Sequence, residues 1–389
     1  MAAAGEGAAR RRTIFMCNPG FCGRAGPRSR RGSYNRGVKT RRSLLADAAL
    51  ASAFLSLPRA ARAATAPTGP VRPKALAPGA RVALVSPASP EEEPEGVAIA
   101  EEIVRSLGLV PKTMPAAARQ TMYLAGSDEE RAADLNAAFR DPSVDAVWCV
   151  RGGYGSGRLL PLLDWEAIRR NPKPLLGFSD ITALLNGFYA KTGLVTFHAP
   201  TCSGNMSEYT LAELKKVAFS TEPAGIVAAA PPAEPREGFV DRDDRLRRIA
   251  PGTAKGRLVG GNISVFDTLV GTPWEPPLEG SILFLEEVGE EPYRIDRWLT
   301  HLVLTGRVQK CAGIVLGKFK DCGPADKGSF QGTWTWQTVV ADRLGRLGVP
   351  VLAGLRFGHV TDKSTFPLGV LAELDVAKGT LTLLEAAVT

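Results

Sequence analysis

Short runs of consecutive apolar residues alternate, in the first half of this chain, with stretches in which apolar residues recur every three or four positions. Runs of the first kind are typical of buried parallel strands, and stretches of the second kind are typical of amphipathic helices. The predicted strands are Arg81–Val85, Leu109–Lys112, Val144–Val150 and Pro174–Phe178, and the predicted helices are Pro94–Leu107, Asp128–Phe139 and Ile181–Ala190. Because strand and helix alternate up to about residue 220, we predict an N-terminal α/β domain over 80–222 with a doubly wound, mostly parallel, flavodoxin-like sheet.

The pattern changes over residues 223–250, where an Ala- and Pro-rich run is followed by the charged run Asp241–Arg245. Such a break in composition is typical of a linker between domains. Residues 251–389 then combine an apolar strand and an amphipathic helix with later strands; these elements are Ser281–Leu285, Tyr293–Leu304, a strand near Val351 and strands from Val370 to Leu384. We therefore predict a smaller C-terminal domain, mixed α/β with antiparallel strands.

The positive charge of the chain is concentrated at its N-terminus. The 389 residues carry a net charge of +8, but residues 1–63 hold thirteen Lys or Arg against two acids, a net charge of +11. The remaining residues therefore carry −3, so the body of the protein lacks the basic composition typical of nucleic-acid binding. We expect no nucleic-acid partner.

The N-terminal segment has the layout of an export signal. Arg41 and Arg42 precede an apolar stretch of about 15 residues, and small residues around Ala63 form a cleavage site. The stretch contains an acidic residue and is shorter than the roughly 20 apolar residues that a membrane-spanning helix needs. We predict that 1–63 is a twin-arginine-type signal with an extension, that 64–79 is a linker, and that the processed protein is periplasmic with no stable membrane span. A low-complexity disordered arm is the alternative.

Two of the predicted strands end in segments suited to catalysis. One stops at the glycine-rich segment Arg151–Gly155, and the other stops at Ser179 before a predicted helix. Loops at the carboxyl ends of parallel strands carry α/β active sites, and a strand–turn–helix corner exposes a serine hydroxyl beside outward-facing N–H groups. Ser179 is therefore a candidate nucleophile. The Gly-x-Ser-x-Gly pattern is incomplete because Ile181 replaces the second glycine, and the alternative role for Ser179 is to cap the following helix.

A serine nucleophile needs a base, and histidine is the usual one because its pKa lies near neutrality. Of the three histidines, His301 lies within a predicted helix, His198 follows an apolar strand and His359 lies in a glycine-flanked loop. The residues alone leave His198 and His359 as alternatives. Glu286 ends an apolar strand and is a candidate to orient the imidazole, since a carboxylate there is costly unless it is used or paired. The alternative is an ion pair with an arginine of the next helix, Arg294 or Arg297.

The chain also contains a series of motifs, in order from about residue 80 to 375, that resembles the LD-carboxypeptidase family of serine peptidases (muramoyltetrapeptide carboxypeptidases). The motifs are Val150–Gly155, Gly177–Asp180, Gly260–Asn262, Gly271–Trp274, Leu285–Glu287, Tyr293–Arg297 and Phe357–His359. The resemblance implies a two-domain enzyme with its active site at the domain interface. It also favours His359 over His198 as the base.

The resemblance implies a catalytic role for each matching residue. Ser179 would be the nucleophile, His359 the general base and Glu286 the group that orients the histidine. The backbone N–H groups of Asp180 and Gly153 would form the oxyanion hole. The family needs no metal, and we expect neither a metal nor another cofactor.

The implied reaction is hydrolysis of the L,D peptide bond that releases terminal D-alanine from a murein tetrapeptide, by an enzyme that forms a homodimer. Arg151, Asn262 or a helix N-terminus would hold the free carboxylate of the substrate, and Tyr154 is a further candidate for substrate contact. Arg151 could equally form a structural ion pair. Many members of the family are cytoplasmic, so the cytoplasm is the alternative location.

Two other functions fit parts of the same pattern. A related self-immunity peptidase cleaves an acyl-aminoacyl nucleotide antibiotic with the same triad, but the stretch Pro292–Arg297 favours the murein substrate. A non-catalytic nucleotide- or sugar-binding module would use the glycine-rich loop Gly152–Gly157. That loop is not followed by Gly-Lys-Ser/Thr and does not match Gly-x-Gly-x-x-Gly, so phosphate binding there has little support.

Overall fold

The first of two sheets is built from the strands of the N-terminal half. The computed structural model describes residues 69–204, 206–230, 237–238, 245–324 and 334–389. The strands of this half are β1 (Arg81–Val85), β2 (Val110–Thr113), β3 (Ala146–Cys149), β4 (Leu175–Gly177) and β5 (Thr196–His198). They are parallel and pair in the order β2-β1-β3-β4-β5. This is the doubly wound, flavodoxin-like order, and it opens a crevice at the carboxyl ends of β1 and β3, where the strand order reverses.

Three of the five helices in this half lie close to the predicted amphipathic stretches. The five are α1 (Gly96–Ser106), α2 (Asp128–Arg140), α3 (Trp165–Arg170), α4 (Thr182–Thr192) and α5 (Glu208–Ala218), of which α3 and α5 were not predicted. The start of α2 is fixed by a capping box, in which Ser127 Oγ accepts from the N–H of Glu130 and the Glu130 carboxylate accepts from the N–H of Ser127. Capping satisfies the N–H groups that the first turn of a helix leaves without partners.

The second sheet is mixed, with parallel strands in its centre and antiparallel strands at both sides. Its strands are β6 (Gly225–Val227), β7 (Arg247–Ala250), β8 (Thr253–Asn262), β9 (Ile282–Val288), β10 (Gly313–Lys320), β11 (Val351–Ala353), β13 (Leu371–Asp375) and β14 (Thr380–Leu383). They pair in the order β6-β14-β13-β8-β9-β10-β11-β7, and β8 to β11 are parallel. The helices here are α6 (Ile263–Asp267), α7 (Pro292–Leu304) and α8 (Trp336–Leu344). The predicted fold class is therefore confirmed for both sheets.

One strand crosses between the two halves of the sequence. The short strand β12 (Phe366–Leu368) comes late in the chain but pairs antiparallel with β5, at the edge of the first sheet. The larger of two hydrophobic core clusters accordingly includes residues from both halves, among them Leu84, Phe188, Phe284 and Phe357. The described residues all belong to one compact unit. The domain boundaries proposed around 223–250 stay predictions, and that segment contributes β6 and β7 to the second sheet.

The predicted export segment 1–63 lies outside the described residues, as do Asp241–Asp244 of the charged run. No helix of the described part of the chain is long and apolar enough to cross a membrane. Cys311 and Cys322 are both buried free thiols. Burial raises the pKa of each thiol to about 12, so neither is a reactive thiolate at neutral pH.

Candidate active site

Ser179 lies at the corner between β4 and α4, at the carboxyl edge of the first sheet. Its φ angle is +63°, in the left-handed region that residues other than glycine rarely adopt. Residues Ser179–Ile181 form one 3₁₀ turn before α4, and the serine side chain caps neither helix. This strained strand–turn–helix geometry is that of a nucleophile elbow, and it leaves the hydroxyl free to contact another part of the chain.

The hydroxyl of Ser179 contacts His359, which lies on the loop between β11 and β12. Ser179 Oγ is 2.9 Å from His359 Nε2, and His359 Nδ1 is 2.7 Å from Glu286 Oε2. With the ring proton on Nδ1, His359 donates to the carboxylate and accepts from the serine. The Glu286 side chain is fully buried, whereas His359 is 18% exposed. The three predicted side chains therefore form one hydrogen-bonded chain that leads from the interior to the surface.

A glycine allows the histidine loop to approach Glu286. Gly358 has a φ angle of +109°, and a Cβ atom at this position would lie 2.8 Å from Glu286 Oε2 and 3.0 Å from Glu286 Cβ. Any larger residue would therefore displace either the loop or the carboxylate. The Phe-Gly-His motif requires its glycine because only a residue without a Cβ fits both the backbone angle and the space.

The alternative ion pair of Glu286 with the next helix is not formed. Strand β9 continues beyond its predicted end through Val288, so Glu286 and Glu287 point to opposite faces. Glu287 accepts from Asn262 Nδ2 at 2.8 Å and from the N–H of Ser264 at 3.0 Å. Arg294 pairs instead with Glu290. Strand alternation thus directs one glutamate to the histidine and the other into the fold.

The other two histidines have different surroundings. His198 is 2% exposed, and its ring packs within 6 Å of the rings of Phe178 and Phe284. Burial lowers the pKa of His198 to about 4, so it is neutral in the working range. His301 is half-exposed on α7 and pairs with Asp267 of α6. Of the two candidate bases left open by the sequence, His359 is the one that reaches Ser179.

The predicted oxyanion loop, residues 151–155, runs directly over the nucleophile. A Cβ atom on Gly152 would lie 3.0 Å from Ser179 Cβ, and one on Gly153 would lie 2.3 Å from Ser89 Oγ. Neither the N–H of Gly153 nor that of Asp180 has a hydrogen bond to another residue of the described part of the chain. Both groups are available to a substrate oxygen, as the oxyanion assignment requires, although that assignment stays a prediction.

Three polar residues that the sequence analysis did not identify hold this loop. Ser89 receives a hydrogen bond from the N–H of Tyr154 at 3.1 Å and donates its own N–H to the Gly152 carbonyl at 3.2 Å. The N–H of Ser156 donates to the carboxylate of Asp180 at 2.7 Å, which ties the loop to the residue after the nucleophile. The Ser156–Asp180 hydrogen bond is buried, and a buried hydrogen bond helps to fix a loop in one conformation.

The third of these residues is Arg131 on α2, which is 1% exposed. Its Nη1 donates to the Pro87 carbonyl at 2.5 Å and to the Gly155 carbonyl at 3.1 Å. It therefore joins the loop after β1 to the loop after β3, at the crevice of the sheet. The sequence did contain a signal, because Arg131 lies on the same helix face as Leu135 and Ala138 of the core. An arginine on an apolar face is rarely buried without a specific partner.

Two of the three residues predicted to bind substrate, Arg151 and Asn262, have their polar groups bound within the protein. Arg151 is joined to Glu92 by an ion pair and donates to the Pro90 carbonyl at 3.1 Å, so it makes the structural contacts that were its alternative role. Asn262 is 3% exposed; its Oδ1 accepts from the N–H of Val265 at the start of α6, and its Nδ2 donates to Glu287. Its buried amide is committed to the fold, and a contact with substrate has no support from this geometry.

Tyr154, the third predicted substrate contact, is exposed on the oxyanion loop. Its ring is 56% exposed and meets the edge of Tyr123 at a centroid distance of 5.8 Å. An exposed aromatic pair on the predicted oxyanion loop is compatible with substrate contact, which stays a prediction. In the described residues, no group of three or more His, Cys, Asp or Glu side chains could hold a metal ion.

A serine hydrogen-bonded to a histidine that is oriented by a buried carboxylate, beside two available N–H groups, defines the site of a serine hydrolase. The family models agree with this class. Residues 82–199 match the LD-carboxypeptidase N-terminal domain, and residues 255–374 match the LD-carboxypeptidase C-terminal domain. The chain belongs to the LD-carboxypeptidase family and is a serine-type carboxypeptidase.

Individual relatives are similar over most of their length. The probable murein peptide carboxypeptidase of Bacillus subtilis is 36% identical over 318 residues, which cover 82% of this chain and 95% of that protein. Among solved structures, the microcin C7 self-immunity protein MccF of Escherichia coli has a TM-score of 0.71 at 26% identity, covering 82% of this chain and 100% of the other. Muramoyltetrapeptide carboxypeptidase from Oxalobacter formigenes has a TM-score of 0.65 at 28% identity, covering 78% and 97%.

Proposed function

We propose that the enzyme hydrolyses the L,D peptide bond of murein tetrapeptides and releases terminal D-alanine, with Ser179, His359 and Glu286 as its catalytic triad. The observation that carries the proposal is the position of His359, which lies within hydrogen-bond distance of both the serine and the carboxylate. The names of the Bacillus and Oxalobacter relatives support a murein peptide as the substrate.

The mechanism follows from the hydrogen bonds. His359 Nε2 takes the proton of Ser179 as Oγ attacks the scissile carbonyl, and Glu286 stabilises the imidazolium that results. The histidine then gives this proton to the leaving amine, the C–N bond breaks, and D-alanine departs from an acyl-enzyme. Water hydrolyses the acyl-enzyme by the same sequence of proton transfers. The N–H groups of Gly153 and Asp180 bind the negative oxygen of each tetrahedral intermediate.

A second candidate is cleavage of an acyl-aminoacyl nucleotide antibiotic, as a self-immunity peptidase would perform it. The TM-score of 0.71 to MccF favours this candidate, since the two proteins share one fold. The segment at the start of α7, Pro292–Arg297, instead has the sequence expected of the murein enzymes. Both activities occur on this fold, so a direct comparison of the two substrates is what distinguishes them.

The test compares substrates on one enzyme preparation. Purified chain lacking residues 1–63 is incubated with a murein tetrapeptide that ends in D-alanine, with the same peptide ending in L-alanine, and with an aminoacyl sulfamoyl adenosine. We expect D-alanine release from the first substrate alone, measured by coupled oxidation of D-alanine. Cleavage of the sulfamoyl adenosine without release of D-alanine would contradict the proposal and support the self-immunity function.

We also propose that the protein is exported by its twin-arginine signal and acts in the periplasm. A fusion of residues 1–70 to a reporter should reach the periplasm, and substitution of Lys for both Arg41 and Arg42 should abolish export. The same fusion with Lys at Arg59 and Arg62 is the matched control and should still be exported. Retention of the unaltered fusion in the cytoplasm would contradict the proposal. The homodimer stays an expectation from the family, to be checked by the molar mass in solution.

A further inference from the structure

A carboxypeptidase of this kind must recognise the free carboxylate of its terminal residue, and the two side chains first considered for this task are engaged elsewhere. Arg151 is paired with Glu92, and Asn262 is buried between Glu287 and the start of α6. A carboxylate that enters a partly buried site needs a cation or several hydrogen-bond donors to replace its water. The loop that carries the catalytic histidine provides another cation.

Lys363 lies four residues after His359 on this loop and is half-buried. Its Nζ lies 4.6 Å from the centroid of the Phe178 ring, and the same ring lies 4.9 Å from the ring of His359. Phe178 immediately precedes the nucleophile. The ring of Phe178 is therefore contacted both by the catalytic histidine and by the lysine.

The position of Lys363 is fixed by its backbone. Its N–H donates to Thr210 Oγ1 at 3.0 Å, and that hydroxyl donates to the Thr361 carbonyl at 2.9 Å. Thr210 lies in the first turn of α5. These contacts attach the loop to α5, so the lysine is held over Phe178 by ordered backbone and not only by its own flexible side chain.

The ammonium group of Lys363 lacks an anionic partner. In the described part of the chain, its Nζ makes no hydrogen bond and no ion pair. The acid with which it interacts electrostatically is Glu286, which is fully buried and already bound to His359. Burial lowers the pKa of Lys363, which means that its charge is poorly solvated in the absence of substrate. An arriving carboxylate would compensate for this loss of solvation.

The direction of the reaction places the terminal residue on the same side. The leaving amine receives its proton from His359, so the terminal D-alanine must lie against the histidine when the C–N bond breaks. Its carboxylate is attached to the carbon next to that amine. The carboxylate therefore enters the surroundings of the His359 ring, and the Phe178 ring that packs against His359 is the ring over which the ammonium of Lys363 lies.

We propose that Lys363 binds the α-carboxylate of the terminal D-alanine and thereby restricts the enzyme to the free end of the peptide. This assignment rests on the proposed function, since it names the group that recognises the carboxylate in that reaction. Lys363 is a specificity-determining residue and takes no part in the proton transfers. Loss of a hydrogen bond to a charged group reduces binding by on the order of 10- to 100-fold.

The test measures kcat/KM for two substrates, a tetrapeptide with a terminal D-alanine carboxylate and the same peptide with a terminal D-alaninamide. The wild type should prefer the carboxylate by on the order of 100-fold, and Lys363→Met should reduce this preference to a few-fold by slowing only the carboxylate substrate. Lys363→Arg should retain most of the preference. The ratio is measured within one preparation, so partial misfolding of a variant cancels.

Two controls complete the experiment. Lys378→Met removes an exposed lysine on the turn between β13 and β14 and should leave the ratio unchanged. Arg151→Met tests the first candidate for binding the substrate carboxylate. If this variant alone lost the preference for the carboxylate substrate, the inference would be overturned. An equal fall for both substrates in Lys363→Met, or no fall, would also overturn it. Release of neither D-alanine nor D-alaninamide by the wild type would refute the proposed function, and the inference with it.

Discussion

Replacement of Ser179 by alanine is expected to lower kcat for D-alanine release by about 10⁴-fold or more, because Ser179 is the hydroxyl that His359 Nε2 contacts in the described part of the chain. The fold should not change, since Ser179 Oγ makes no helix cap and Ala183 and its neighbours stay packed in the core. The measurement is single-turnover release of D-alanine, together with the midpoint of thermal unfolding.

The strained backbone of this residue offers a second variant that separates stability from catalysis. Ser179→Gly should be as inactive as Ser179→Ala, yet it should be more stable than Ser179→Ala by about 1 kcal/mol, because glycine adopts a positive φ without strain. Ser106→Ala, on the exposed face of α1, is the matched control and should retain full activity. If Ser179→Ala still released D-alanine at the wild-type rate, the nucleophile would lie elsewhere.

The substitution Glu286→Gln is expected to lower kcat by on the order of 10³- to 10⁴-fold with little change in KM. The carboxylate accepts the Nδ1 proton of His359, which keeps Nε2 as an acceptor for the serine hydroxyl. An amide that presents its NH₂ group to Nδ1 would reverse the tautomer, and it would not stabilise the imidazolium. Glu286 is fully buried, so water cannot take over its role.

The neighbouring residue supplies a matched control for this prediction. Glu287→Gln removes a carboxylate that is also buried but that accepts from Asn262 and Ser264 on the other face of β9. This variant should lose stability, because a buried acceptor that serves two donors is altered, while kcat stays within a few-fold of the wild type. Equal losses of kcat in the two variants would contradict a specific role for Glu286.

Local sequence patterns were sufficient for the strands and helices that carry the nucleophile. β1 has the predicted bounds, α2 begins at its predicted first residue, and the corner at Ser179 follows from an apolar run that meets a helical stretch. These features depend on neighbours in the sequence, and hydrophobic period and capping report them directly. The choice of His359 over His198 could not be made in this way, since both follow apolar runs.

The remaining features depend on groups that are distant in the sequence. Asn262 resembled an accessible polar residue at a strand end, but the pairing of β8 with β9 buries its side chain beside Glu287. Lys363 gave no local signal, because its importance comes from the ring of Phe178, which lies 185 positions earlier in the chain. Register and long-range packing decide such cases, and neither is encoded in a short window of sequence.

The pairing of β12 with β5 determines how late in synthesis the active site can form. The sheet that carries Ser179 is complete only after Phe366–Leu368 have been synthesised. Until then, β5 is an open edge of this sheet in the nascent chain. His359 precedes that strand by only a few residues. The step that closes the sheet therefore also brings the histidine to the serine, and a chain stopped before residue 359 would lack both the last strand and the histidine. Hydrolytic activity and completion of the fold thus arise together, near the end of translation.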